Sequence, residues 1–194
     1  MSLRELYSLL RKECSICLNI SEDKIGLFTI LRCYFFDSGY RLLLLHRLSR
    51  YFYLKFKNKR ILWVISPLIV QHMVRVTGSM ISPRAQIGEG CRIYYGTGII
   101  IGSHAIIGKN ATILNGITIG ITHPSAGKQV TVIGDNVFIG TGAKILGNIT
   151  IGDNVKVGAN AVVLRSCGSN VTLVGVPARG VVKSEDLQRV AEVT

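Results

Sequence analysis

The segment GTGAKILGNITIGDNVKVGANAVV, residues 140–163, decides the fold of this chain. An aliphatic residue recurs in it at every sixth position, at Ile145, Ile151, Val157 and Val163. A small or β-branched residue stands two places before each of them, and glycine follows two of them. This period suits neither an α-helix, with about 3.6 residues per turn, nor a simple hairpin sheet, whose side chains alternate. It is typical of short strands joined by sharp turns, each repeat forming one flat side of a coil.

The same pattern extends upstream, with two breaks. It begins at Ile81, slips by two residues after Ile93, and is interrupted between Ile119 and Ile133. The residues predicted to stack inside the coil as a ladder are Ile81, Ile87, Ile93, Ile101, Ile107, Ile113, Ile119, Ile133, Ile139, Ile145, Ile151, Val157 and Val163. The interruption, GITHPSAGKQVT at residues 120–131, is too long for the wall of the coil and predicts a projecting loop. Loops on a rigid scaffold often carry function.

The first part of the chain has a different period. Leucines recur at helical spacing near Leu3 and again near Leu42, and glycine is sparse before Gly78. The predicted organisation is an α-helical N-terminal region at residues 1–78, a β-helix at 79–183 and a C-terminal tail at 184–194.

Charge is strongly positive, with a formal net charge of +12 over 194 residues. Residues 41–60 contain seven basic residues and no acidic one, interleaved with leucines and aromatics. Three interpretations stay open: a helix on an anionic membrane surface, attraction to an acidic substrate, or a helix face packed in an oligomer. Nucleic acid is a weaker candidate because no binding motif accompanies the charge.

Cysteine spacing and hydropathy point to the cytosol. The five cysteines are scattered and lack the spacing of a zinc site, so reduced thiols and no metal are expected. The longest apolar run, at residues 61–70, contains Pro67 and is half the length that a membrane-spanning helix needs. The expected location is cytoplasmic, with peripheral contact at the inner face of the membrane as an open alternative.

The repeat array, together with VGANAVV at 157–163 and VGVPARGV at 174–181, resembles the left-handed parallel β-helix acyltransferases. The likeness covers about residues 78–183 and is greatest to the serine acetyltransferase group and its sugar- and capsule-modifying relatives. It implies a mainly β fold, a homotrimer, acetyl-CoA as co-substrate, and a histidine general base in a direct transfer. By position, it implies coenzyme A contacts at Gly142, Ala143, Gly158, Ala159 and Arg179.

Three elements of the serine acetyltransferase pattern are replaced in this chain. Tyr94 and Tyr95 stand where that group has an Asp-His pair, Met80 stands at a second acidic position, and Val130 lies near a further family histidine. His123 in Thr-His-Pro resembles the catalytic histidine of galactoside and maltose O-acetyltransferases and is the first candidate for the base. His104 is the second candidate. Tyr95 is predicted only to contact substrate, because a phenol is a weak base at neutral pH.

These departures favour an O-acetyltransferase that acts on a hydroxyl of a sugar or polysaccharide, in capsule or exopolysaccharide synthesis. Serine O-acetylation and N-acetylation of an amino sugar are the alternatives within the enzyme class. A catalytically degenerate β-helix scaffold is the alternative outside it.

Overall fold

The structure, a computed structural model, describes residues 2–56, 62–122 and 129–181. The N-terminal region is helical. Its helices are α1 (Leu3–Leu18), α2 (Leu27–Phe36), α3 (Ser38–Phe56) and α4 (Ile65–Thr77), with 3-10 turns at Glu22–Lys24 and Leu62–Val64. Helix α1 begins at a capping box, in which Ser2 Oγ accepts from Glu5 N and Glu5 Oε2 accepts from Ser2 N. This exchange satisfies two backbone donors that a helix start leaves without partners.

From Met80 the described chain forms short strands. They are β1 (Met80–Ile81), β2 (Gln86–Ile87), β3 (Arg92–Ile93), β4 (Ile100–Ile101), β5 (Ala105–Ile107), β6 (Thr112–Ile113), β7 (Thr118–Gly120), β8 (Thr131–Ile133), β9 (Phe138–Ile139), β10 (Lys144–Leu146), β11 (Thr150–Ile151), β12 (Lys156–Val157), β13 (Val162–Val163), β14 (Thr172–Val174) and β15 (Arg179–Val181).

The strands stack into three sheets that form the three sides of a coil. Sheet A has the order β1-β4-β7-β10-β13, sheet B has β2-β5-β8-β11, and sheet C has β3-β6-β9-β12-β14-β15. Pairing is parallel except at the end, where β15 folds back antiparallel to β14. We call the turns from sheet A to sheet B the A–B edge and those from sheet C to sheet A the C–A edge.

The predicted ladder is buried along its whole length. Ile101 pairs with Ile119, and Ile113 pairs with Ile139, so aliphatic residues of successive coils lie directly above one another. Every predicted ladder position has at most 7% of its surface exposed. The small residues two places earlier are buried as well, which lets the three walls of the narrow coil approach each other. Both breaks in the repeat fall at edges: two extra residues at the C–A edge after β3, and the long interruption at the A–B edge after β7.

Helices α3 and α4 close the first coil. Leu42, Leu43 and Met73 belong to the same hydrophobic core as the ladder residues. A second core, which includes Leu6 and Leu10 of α1, lies among the helices themselves. The open end of a β-helix exposes apolar side chains, and this helical cap buries them.

The basic residues of α3 serve this cap. Arg41, Arg47 and Arg50 donate to backbone carbonyl groups. The acceptors are the carbonyls of Tyr34 and Phe35 for Arg41, of Ile87 and Gly88 for Arg47, and of Pro83, Arg84 and Ala85 for Arg50. The interpretation of 41–60 as a membrane-surface helix is therefore not supported, because these groups contact protein. Lys57, Lys59 and Arg60 of that stretch lie outside the described residues. No helix in the described ranges is long and apolar enough to span a bilayer.

His46 of α3 is fully buried, and neither ring nitrogen has a hydrogen-bond partner among the described residues. Burial lowers the pKa of His46 well below its ordinary value, and the charges of Arg47 and Arg50 act in the same direction. The folded protein therefore keeps this ring neutral at a pH where the unfolded chain binds a proton.

The consequence is a loss of stability in acid. Below about pH 6.5 the unfolded state takes up the His46 proton, so the free energy of unfolding falls by about 1.4 kcal/mol per pH unit from this group alone. Urea unfolding between pH 5 and 8 should show a shallower fall for His46→Leu than for the wild type. His72→Gln is the matched control, since His72 is exposed. Equal slopes for His46→Leu and the wild type would contradict the prediction.

Candidate active site

The A–B edge carries a small cavity beside His104. Its volume is about 250 Å³, and its lining includes Ser103, His104, Gln129 and Thr131. Ser103 Oγ lies 3.2 Å from His104 Nδ1, and both side chains are half-buried.

The long interruption leaves and rejoins the coil at this cavity. Thr122 is the last described residue before it, and Thr122 N and Oγ1 both donate to Gln129 Oε1, at 3.0 and 3.2 Å. Thr131 is buried and donates to the carbonyl of Gly147, at 2.8 Å. His123, the first candidate base, lies outside the described residues, as does the rest of 123–128. Gln129 and Thr131 were missed by the sequence analysis because no motif marks them; only closure of the interruption places them at the cavity.

The C–A edge after β3 carries Tyr94 and Tyr95. The Tyr95 ring is 70% exposed, and Arg92 lies over the Tyr94 ring at 4.8 Å. Tyr95 has φ of +55°, a left-handed conformation that disfavours bulky side chains by about 1–2 kcal/mol. The edge therefore holds an exposed phenol on a strained backbone.

The predicted coenzyme A residues lie along the same C–A edge, in later coils. Gly142 is at the turn between β9 and β10, and Gly158 and Ala159 are at the turn between β12 and β13. Arg179 pairs with Val174, whose side chain covers Gly158. Ala143 is fully buried inside the coil, and its backbone N–H and carbonyl already bond to Gly140 and Thr118, so this position offers no exposed group to a ligand.

Within one chain the structure separates the two groups of candidates. Strand β4 lies between Tyr95 and His104. A six-residue side of the coil is about 20 Å wide at roughly 3.3 Å per residue. Tyr95 and the coenzyme A candidates thus share one edge, and His104 and the ends of the interruption share another. No group of three or more His, Cys, Asp and Glu side chains that could hold a metal occurs in the described ranges.

Two protein-family descriptions match the repeats: "Bacterial transferase hexapeptide (six repeats)" at residues 131–165 and "Hexapeptide repeat of succinyl-transferase" at 98–121. The serine acetyltransferase of Synechococcus elongatus is 40% identical over 156 residues, which cover 80% of this chain and 60% of that protein. The serine acetyltransferase of Staphylococcus xylosus is 42% identical over 137 residues, which cover 71% of this chain and 62% of that protein. The chain thus spans about three fifths of the length of these relatives.

Solved structures give the same result. Serine acetyltransferase of Neisseria gonorrhoeae has a TM-score of 0.79 at 29% identity, covering 94% of this chain and 68% of that one. The soybean serine acetyltransferase apoenzyme has a TM-score of 0.77 at 32% identity, and the match covers 92% of this chain and 69% of that one. The Brucella abortus serine acetyltransferase in complex with coenzyme A has a TM-score of 0.78 at 30% identity, and the match covers 92% of this chain and 68% of that one. The predicted left-handed parallel β-helix with an α-helical N-terminal region is confirmed.

The predicted sugar or polysaccharide acceptor is wrong, and with it the assignment to capsule synthesis. The overturning finding is that relatives 40–47% identical to this chain are serine acetyltransferases. The prediction gave most weight to the side chains at Met80, Tyr94 and Tyr95. The fold likeness extends over helices and coil together, whereas those departures are a few side chains on its surface.

Proposed function

Because the chain belongs to the hexapeptide-repeat acyltransferases of the serine acetyltransferase type, we propose that it transfers the acetyl group of acetyl-CoA to the hydroxyl of serine. The observation that carries this proposal is the joint likeness of sequence and fold, at 40% identity over 80% of the chain and a TM-score of 0.79 over 94% of it.

Acetyl-CoA lies along the C–A edge in this proposal. Gly142 and Ala159 leave little side-chain bulk on this wall, and Gly158 is bordered by the Val174 side chain, so the wall admits the thin pantetheine arm. The exposed guanidinium of Arg179 completes the set, whereas Ala143 is buried and supports the turn from inside the coil. The repeated turns stack at about 4.8 Å per coil, so the arm meets regularly spaced backbone groups.

The reaction is a direct transfer assisted by a histidine. The imidazole accepts the proton of the serine hydroxyl as its oxygen attacks the thioester carbonyl carbon. Collapse of the tetrahedral intermediate breaks the carbon–sulfur bond, and the departing thiolate takes the proton back from the imidazolium. His123 is the proposed base, because it directly follows Thr122 in the chain and Thr122 lies at the A–B edge. His104, at that edge, is the second candidate.

A homotrimer is proposed because one chain keeps the two edges apart. The C–A edge of one copy, with its acetyl-CoA, meets the A–B edge of a neighbouring copy, with its His104 and the two ends of the interruption. A complete site then forms between copies, and closed rotational symmetry gives each site the same parts.

An acceptor assay tests the function. The chain, with acetyl-CoA, should release the coenzyme A thiol in the presence of serine at least about 100-fold faster than with alanine. Alanine is the matched control because it lacks only the hydroxyl. Mass spectrometry should identify O-acetylserine as the product. Thiol release that does not depend on serine, or no acetylated serine, would refute the proposed acceptor.

A further inference from the structure

Tyr95 is an exception among the left-handed residues of this chain. Seven non-glycine residues in the described ranges have a positive φ, and six of them are asparagines. Asparagine tolerates this conformation because its short side chain bonds to the nearby backbone, whereas a tyrosine gains nothing comparable. The asparagines are Asn19, Asn110, Asn136, Asn154, Asn160 and Asn170.

The surrounding structure imposes the strain on Tyr95. Gly96 N donates to Ser38 Oγ at 3.2 Å, and Ser79 Oγ donates to the carbonyl of Gly96 at 3.0 Å. The Gly96 backbone packs so closely on Ser38 that a Cβ there would lie 2.3 Å from its carbonyl oxygen. Thr97 N donates to the carbonyl of Tyr95 at 2.6 Å. The N-terminus of α3 thus holds the turn in place.

Within its own chain, Tyr95 gains little packing that would compensate this strain, because it is 70% exposed there. The turn from Ile93 to Ile99 is two residues longer than the corresponding turn of the next coil, from Ile113 to Ile117. Tyr95 is one of the two extra residues. One of the two breaks in the hexapeptide register therefore places on the C–A edge a phenol that its own chain leaves uncovered. A strained backbone conformation that side-chain packing does not compensate points to a functional role.

The place of Tyr95 on the C–A edge selects that role. The turns of successive coils are bonded in line: Gly116 N donates to Thr97 O at 3.0 Å, Gly142 N to Asn115 O at 2.9 Å, and Asn160 N to Thr141 O at 2.8 Å. At about 4.8 Å per coil, Tyr95 lies about 10 Å from the level of Gly142 and about 14 Å from that of Ala159. An acyl-CoA arm that follows this edge toward the N-terminal end brings its thioester to Tyr95.

We propose that Tyr95 is a catalytic residue, whose phenolic O–H donates a hydrogen bond to the oxyanion formed when the acceptor oxygen attacks the thioester. This inference rests on the proposed function. The carbonyl π electrons move onto the oxygen as the new carbon–oxygen bond forms, and a fixed donor stabilises that charge. When the carbon–sulfur bond breaks, the charge leaves with the thiolate, which is protonated by the imidazolium. Tyr95 keeps its proton throughout.

The test compares Tyr95→Phe with Tyr94→Phe in the serine assay. Loss of one oxyanion donor should lower kcat of Tyr95→Phe by about 100-fold or more with little change in KM. Tyr94→Phe, which also removes one phenol from this turn, should stay within about threefold of the wild type. Near-wild-type kcat in Tyr95→Phe would overturn this inference and leave the proposed function standing. An inactive wild type would overturn both.

A second variant separates catalysis from structure. Tyr95→Asn should raise Tm by about 2–4 °C, because asparagine relieves the left-handed strain, while kcat falls as in Tyr95→Phe. A residue with a merely structural role would lose stability and activity together. A lower Tm for Tyr95→Asn would overturn the claim that the strain is kept for function.

Discussion

Replacing Arg47 by alanine is expected to destabilise the protein by about 3–5 kcal/mol, the effect of breaking a buried ion pair on one side. The Arg47 side chain is 4% exposed and that of Glu13 is fully buried. Arg47 Nε and Nη2 donate to Glu13 Oε1 at 3.0 and 2.5 Å, and Nη1 and Nη2 donate to the carbonyls of Ile87 and Gly88. One guanidinium thus joins α1, α3 and the first coil.

Alanine leaves the Glu13 carboxyl buried without its partner. Burial raises the pKa of Glu13, although Arg47 acts in the opposite direction. In the folded variant, the Glu13 carboxyl therefore keeps its proton at a pH where the same carboxyl in the unfolded chain, whose pKa is near 4.5, has lost it. Stability from such a group falls as pH rises through 4.5. The deficit of Arg47→Ala relative to the wild type should accordingly be larger at pH 7 than at pH 5.

Urea unfolding followed by circular dichroism measures both effects. The matched control is the double variant Glu13→Leu with Arg47→Met, which replaces both charges by apolar groups of similar size and should recover most of the loss. A deficit below about 1 kcal/mol for Arg47→Ala, or a double variant as unstable as the single one, would show that the pair does not hold the cap in place.

The second large effect is expected at His123. His123→Ala should lower kcat by about 100- to 10,000-fold, the usual contribution of a general base, with a much smaller change in KM. His104→Ala is the comparison, since His104 is the second candidate for the base. Unchanged thermal unfolding of both variants would assign the loss to chemistry. If His104→Ala loses more activity than His123→Ala, the base is His104 and the assignment to His123 is wrong.

Proximity in the sequence does not predict which residues share a site, because the coil carries neighbouring residues to different edges. Tyr95 and His104 are nine positions apart but lie on different edges, whereas Tyr95 and Ala159 are 64 positions apart on the same edge. The hexapeptide period specifies which residues point inward. It says little about which outward residues share an edge until both insertions have been placed between their strands.

The identity of the acceptor was also not predictable from a few local residues. Tyr94 and Tyr95 in place of an Asp-His pair favoured a change of substrate, yet the relatives across most of the chain are serine acetyltransferases. A local substitution weighs less than the agreement of the whole scaffold, because the scaffold positions every other group of the site.

The sequence by itself determined the coil, its ladder and the helical N-terminal region. A strict six-residue period places one aliphatic residue per side in the interior of the coil. Only the tertiary structure decided that Arg47 and Arg50 bond to the first coil, and that His46 is buried without a partner among the described residues. It also decided that the turn of Tyr95 and Gly96 is held against Ser38. Each of these depends on contacts between residues distant in the chain, and such contacts leave no periodic signal in the sequence.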